Sequence, residues 1–285
     1  MADLAAKEVE LAIAPHAWRV EFAEASKAVP EGVETIEIAE PRSLTAWLVP
    51  VAPSDALAQV GPQTDGALTV LWMPPGVNTP ATIERDADEW VRGTGGHKKE
   101  AAVRADVRTI RVVSDESKAL IYASNGDVRF ALDALVRFNV AQREALALEA
   151  TVKSTWATIE ADTALTHAVT QRHQKKQRHV NEMTEIVTRM KMAWLRVSNS
   201  LGQLDPQLAD PSKRIFAELA SAAFLYNRVE VLDEPVQFAL DHYEISNTRL
   251  IDTNLAREER INSIVGYGLI VLLLVIQIWL MSRGL

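Results

Sequence analysis

Residues 261–282 form an uncharged run of 22, INSIVGYGLIVLLLVIQIWLMS, bounded by Arg260 and Arg283. At about 1.5 Å per helical residue the run crosses a hydrocarbon core of roughly 30 Å. A soluble helix this apolar on every side needs protein all round it, which a segment near one end of the sequence lacks. The run therefore reads as one transmembrane helix built around Ile264, Leu269, Leu272, Leu274, Ile276 and Trp279. Tyr267 and Trp279 lie toward its two ends, where amphipathic rings prefer to sit.

The opposite end, MADLAAKEVELAIAPHAW, carries Asp3, Glu8 and Glu10. It has neither the positive start and apolar run of a secretory signal nor the acid-poor face of a transit peptide. Arg249, Arg257 and Arg260 precede the span and only Arg283 follows it, a positive-inside bias. The expected topology is a single-pass, tail-anchored protein, its N-terminal bulk cytoplasmic, in a membrane such as the bacterial inner membrane. Thirty Lys+Arg against 38 Asp+Glu give a net charge of −8, which argues against nucleic acid as a partner. With no cysteine, disulfides, thiolate zinc sites, iron–sulfur clusters and cysteine nucleophiles are all excluded.

Nine of the twelve prolines fall within residues 15–80 and none between 81 and 205. Long helices are thereby excluded from the first stretch and permitted in the second. Short β-like runs at 35–38, 46–51, 68–73, 107–113 and 119–123 alternate with turn signals, and TIERDADEWV at 82–91 reads as a short acidic helix. Residues 1–124 are expected to form a small α/β domain of four or five strands, and the whole chain belongs to the α+β class. The Gly-rich stretch 93–99 is not a phosphate loop. It follows a helix rather than a strand, and its lysine precedes Lys99 and Glu100 instead of Ser or Thr.

From residue 125 the pattern turns helical, with Val128, Leu132, Leu135 and Val136 in one stripe. No breaker appears until Gly202, and a break is expected where Thr and Ser crowd, around 151–166. Val180, Met183, Val187, Met190, Trp194, Val197 and Leu201 recur at spacings of three and four, a seam that must pack against another helix. The rhythm restarts after Pro211 at Ile215, Leu219, Ala222, Tyr226 and Val229, predicting an antiparallel hairpin. If Pro235 sits in the first turn of a new helix, residues 235–281 become one stalk entering the bilayer directly. Leu240, Tyr243, Asn247, Leu250 and Asn254 form its seam, and the two asparagines one heptad apart are of the kind that sets register and oligomer state. The organisation expected is a domain at 1–124, long helices at 125–205, a hairpin and membrane-proximal stalk at 206–260, and the span at 261–282.

A basic octet at 172–179 holds Arg172, Lys175, Lys176 and Arg178, and suits anionic lipid or an acidic partner. No aromatic residue interleaves with it, so base stacking is unsupported. His167, His173 and His179 are six residues apart, which splays the rings round a helix rather than gathering them on one ion. HExxH, GxSxG and EF-hand patterns are absent. The sequence thus points to no enzyme, and no cofactor is expected.

The runs YNRVEVL at 226–232 and YEISNTRL at 243–250, followed by the terminal apolar helix at 269–280, resemble the C-terminal half of the "required for meiotic nuclear division" proteins. That resemblance implies an N-terminal α/β domain, a helical hairpin, a C-terminal membrane helix and a role as oligomeric membrane-associated tether or organiser. An α/β domain, long stalk and C-terminal span also resemble CorA-type magnesium channels, although this chain has one span and lacks their Gly-Met-Asn triplet. A pore would require several copies lined by Asn262, Ser263, Gly266 and Gln277. The function expected is a homo-oligomeric scaffold, tether or accessory subunit, the alternative a CorA-like channel or transport-complex subunit.

Overall fold

The computed structural model describes residues 15–24, 27, 29, 32–58, 66–75, 89–91, 102–167, 176–206 and 208–282. They divide between two compact units, one drawn from residues 1–149 and 193–232, the other from 150–192 and 233–285. The fold is α+β: a mixed sheet, then long helices ending in a long apolar helix.

In the first unit the described strands are β1 (His16–Glu24), β2 (Glu34–Ile38), β3 (Leu44–Val51), β4 (Leu68–Met73), β5 (Val103–Val107), β6 (Ile110–Ser114) and β7 (Lys118–Tyr122). They form one sheet in the order β2-β3-β1-β4-β7-β6-β5, every pairing antiparallel except β4 with β7. The sheet has seven strands where four or five were expected. β1 was missed, although Trp18, Val20 and Phe22 alternate with Arg19 and Glu21 at the strand period. The run 107–113 is not one strand: a turn at Arg108, whose φ is +54°, folds it into the β5–β6 hairpin. Of the helix expected at 82–91, residues 89–91 are helical and the rest lie outside the described residues, as does the Gly-rich stretch 93–99.

β4 lies centrally and is buried along its whole length, because both faces of the sheet are covered. One face carries Val20, Leu48, Val70 and Ile121 against α2 (Val128–Ala161) and α5 (Asp210–Ala222), through Leu132, Leu135, Phe138, Ile215 and Leu219. The other carries Ala17, Leu71 and Leu120 against Ala56 of α1 (Pro53–Ala58) and against Val91. Arg143 of α2 fastens helix to sheet, donating to Glu116 O at 2.9 Å, to Ala67 O at 3.4 Å and to Gly66 O. Gly66 has φ +94°, a conformation that disfavours any side chain.

The long helix breaks where threonine and serine crowd, as expected: α2 ends at Ala161, Asp162 and Thr163 turn, and α3 (Ala164–His167) follows. The hairpin also forms, with Trp194 of α4 (Gln177–Gly202) donating its indole N–H to Val229 O at 2.9 Å. Its second arm is not a single helix. Phe224 adopts φ +54° and divides α5 from α6 (Leu225–Val231), a left-handed step that no glycine or asparagine announces.

The second unit gathers the later part of α2, α3, the first part of α4 and α7 (Asp233–Ser282). Its buried apolar side chains among the described residues are Val152, Ile159, Leu165, Val180, Met183, Val187 and Met190, with Val236, Ala239, Tyr243 and Leu250 from α7.

Candidate functional site

α7 is 50 residues long, about 75 Å at 1.5 Å per residue. Pro235 does not interrupt it, because a first-turn residue has no intrahelical partner for the N–H that proline lacks. Asp233 and Glu234 place negative charge at the positive end of the helix, and Asp233 also receives Lys191 Nζ at 3.1 Å.

Up to Leu250 one face of α7 is used inside the chain. Val236, Ala239, Tyr243, Ser246 and Leu250 recur at spacings of three and four and are completely buried. Of the expected seam, Tyr243 and Leu250 therefore already have intramolecular cover, while Leu240, Asn247 and Asn254 are half-buried. Asn247 accepts a hydrogen bond at 2.9 Å from Gln177 Nε2 of α4.

Beneath this seam three helical segments meet on one carboxylate. Asp162, at the α2–α3 turn, has a side chain only 4% exposed. It accepts from Tyr243 Oη at 3.0 Å and from Lys176 Nζ at 3.3 Å, and its Oδ2 lies 2.6 Å from His179 Nε2. Burial alone would raise the Asp162 carboxyl, but the bonds from His179, Tyr243 and Lys176 outweigh it and hold the group below its ordinary value. Burial, together with the bond to Asp162, drives the Tyr243 phenol far upward, so it stays a proton donor. His242, also buried, sets its ring edge against Tyr243 at 5.0 Å and tilts over Phe238 at 6.0 Å. This arrangement holds α7 against the α2–α3 turn and α4 with charge-assisted bonds. Sequence reasoning missed Asp162, because its partners stand 14, 17 and 81 positions away.

The basic octet looks different in three dimensions. Arg172 and Lys175 lie outside the described residues. Lys176 and His179 turn toward Asp162, whereas Arg178 is 91% exposed and pairs with Glu182 one turn along α4.

Beyond Leu250 the helix leaves its cover. Ile264, Leu269, Leu272, Leu274, Ile276 and Trp279 are each between 44% and 64% exposed. The described chain holds one helix long and apolar enough to cross a membrane, and none of its apolar window is buried. A helix apolar all round and uncovered by its own chain is compatible with a membrane anchor. Among the described residues no group of three His, Asp or Glu side chains is placed to hold a metal ion.

No protein-family model matches the sequence, and no curated protein matches it. Among solved structures the chain is similar to one described as the full-length CmaX protein, at 12% identity over 79% of this chain and 77% of that one, with a TM-score of 0.30.

Proposed function

We propose that the protein is an oligomeric scaffold, tether or accessory subunit held at the cytoplasmic face of a membrane, the bacterial inner membrane by its charge bias, through α7. The observation that carries this reading is the continuity of that helix. It is packed within the chain to Leu250, keeps Thr253 and Asn254 half-buried, and runs uncovered from Leu255 into the apolar span. Ile251 and Leu255 are 46% and 54% exposed. Exposed apolar residues on a membrane-proximal helix are buried when a second copy packs against them. Asn254, half-buried at the same level, is the polar residue that would fix register.

Mass measurement in mild detergent and in nanodiscs tests this. The wild type is expected as a defined oligomer, and Ile251→Glu with Leu255→Glu is expected to reduce it to monomers that remain membrane-bound. A wild-type monomer in both media overturns the reading.

The basic octet supports association with anionic lipid headgroups or an acidic partner. Replacing Lys175 and Arg178 by glutamine, which leaves the Lys176 bond to Asp162 in place, is expected to weaken binding of the chain truncated after Arg260 to phosphatidylglycerol vesicles, and raised salt to mimic the change. Equal binding by variant and wild type removes the octet from the proposal.

One observation favours the channel alternative. Asn262, Gly266 and Gln277 fall within roughly 60° of arc on α7, a polar stripe along an otherwise apolar helix. A closed ring that conducts ions in a planar bilayer would select that reading over the scaffold.

A further inference from the structure

The outer face of α7 continues from the stalk into the apolar run. From Leu255, steps of seven, four, seven and four residues lead to Asn262, Gly266, Leu273 and Gln277. At 100° per residue all five fall within roughly 60° of arc, so one strip of helix surface joins the exposed stalk to the span. No part of the apolar window it crosses is buried by the chain.

The two amides on the strip stand at different depths. Asn262 is the second residue of the uncharged run 261–282 and lies at its margin, where headgroups and water can bond it. Gln277 lies five to six residues past the middle of the run. That is about 8 Å from the bilayer centre, inside a hydrocarbon layer of roughly 30 Å. The residue is exposed on the isolated chain, and Leu273, Leu274 and Met281, one turn away on either side, are apolar.

A glutamine side chain carries two N–H donors and an acceptor oxygen. Lipid tails and leucine answer none of them, so an amide at this depth calls for a polar group on another helix. A second copy of the same chain supplies it without further requirement. Copies inserted in one direction hold Gln277 at one depth, and an amide is its own complement, donor to acceptor in both directions. Gly266, three turns earlier on the same strip, removes the side chain that would hold two helices apart. Nothing in the chain comes within 4 Å of where a Cβ would stand at Gly266, so internal packing does not demand glycine there.

Resting on the membrane reading of α7, we propose that the span pairs with a second copy along Asn262, Gly266, Leu273 and Gln277, the two Gln277 side chains exchanging amide hydrogen bonds within the hydrocarbon layer. The strip is then a helix–helix contact, and its polar members serve each other instead of lining a pore.

Oxidative cross-linking of the full chain in membranes tests this, and a sequence without cysteine gives no background. Asn262→Cys and Leu273→Cys are expected to yield disulfide-linked dimers on treatment with copper phenanthroline. Ile264→Cys, Val271→Cys and Val275→Cys, on the far side of the helix, are expected to yield none. Gln277→Leu added to Leu273→Cys is expected to lower the dimer yield roughly five-fold, and Gln277→Asn, which keeps an amide, to lower it less. Leucine makes the span more apolar, so a lower yield is not a failure to insert. Equal yields on both faces, a maximum on the far face, or a yield unchanged by Gln277→Leu overturns the proposal, the last because an amide in a water-filled pore needs no partner. A defined oligomer by mass with no cross-link at 262 or 273 also overturns it and leaves assembly through Ile251 and Leu255 standing, whereas a monomer by mass overturns both.

Discussion

Truncation after Arg260 is expected to move the protein from the membrane pellet to the soluble fraction completely. The apolar window of α7 is wholly exposed in the isolated chain, so nothing else in the described structure competes with lipid for it. The same dependence is visible one residue at a time. Leu272→Arg places a charge near the middle of the span and costs about 3 kcal/mol of insertion free energy, and Leu274→Arg has a similar effect. The pair together is expected to divide the protein between fractions on alkaline extraction, without altering the circular dichroism of the helices outside the span. Retention of the truncated chain in washed membranes would mean that another surface, the basic octet foremost, does the anchoring.

Replacing Asp162 is expected to produce a large loss of stability. Alanine there leaves Tyr243 Oη, His179 and Lys176 without their common acceptor, in a place where Tyr243 is completely buried. Removing one partner from a buried charged cluster costs about 3 kcal/mol or more. A thermal melt in detergent followed by circular dichroism is expected to shift down by several degrees. Asp162→Asn, which keeps an acceptor oxygen, is expected to lose less.

The cluster also fixes a pH range. Asp162 titrates lower in the folded protein than in the unfolded chain, so its contribution is complete above the ordinary carboxylate value of about 4 and is lost as pH falls below it. Tyr243 titrates higher when folded, so its contribution is complete below the ordinary phenol value of about 10 and is lost as pH rises past it. Melting temperature against pH is expected to fall off at both limits in the wild type. Asp162→Asn is expected to flatten the acid limb and, by removing the carboxylate that helps raise Tyr243, to soften the alkaline limb as well. An unchanged acid limb in that variant would place the acid sensitivity elsewhere.

What the sequence made legible was set by local period, and what it concealed was set by distance along the chain. The span, the restart at Pro235 and the break near Thr163 follow from runs, breakers and propensities that act within a few residues. β1 was equally local and was overlooked, although Trp18, Val20 and Phe22 alternate with Arg19 and Glu21. Arg108 and Phe224 are different, for neither residue type favours the left-handed backbone it adopts, and only the surrounding packing selects it. The Asp162 cluster is a product of tertiary folding. Residues 162 and 243 become neighbours only when the helices have assembled. The stalk seam shows the intermediate case. Of the residues its spacing singled out, Tyr243 and Leu250 are covered by the chain's own helices, while Leu240, Asn247 and Asn254 are half-buried.

The absence of any break in α7 gives the bilayer-facing residues a fixed rotational phase. Each helical residue turns the chain by roughly 100°, so the azimuth at which Asn262, Gly266 and Gln277 point is dictated by how Tyr243 and Leu250 are seated earlier in the same helix. One residue inserted between Asn254 and Arg260 would swing that stripe through more than a quarter turn, whereas seven would bring it back to within roughly 20°. The azimuth of that stripe is thus tied to the seating of α7 beside the Asp162 cluster.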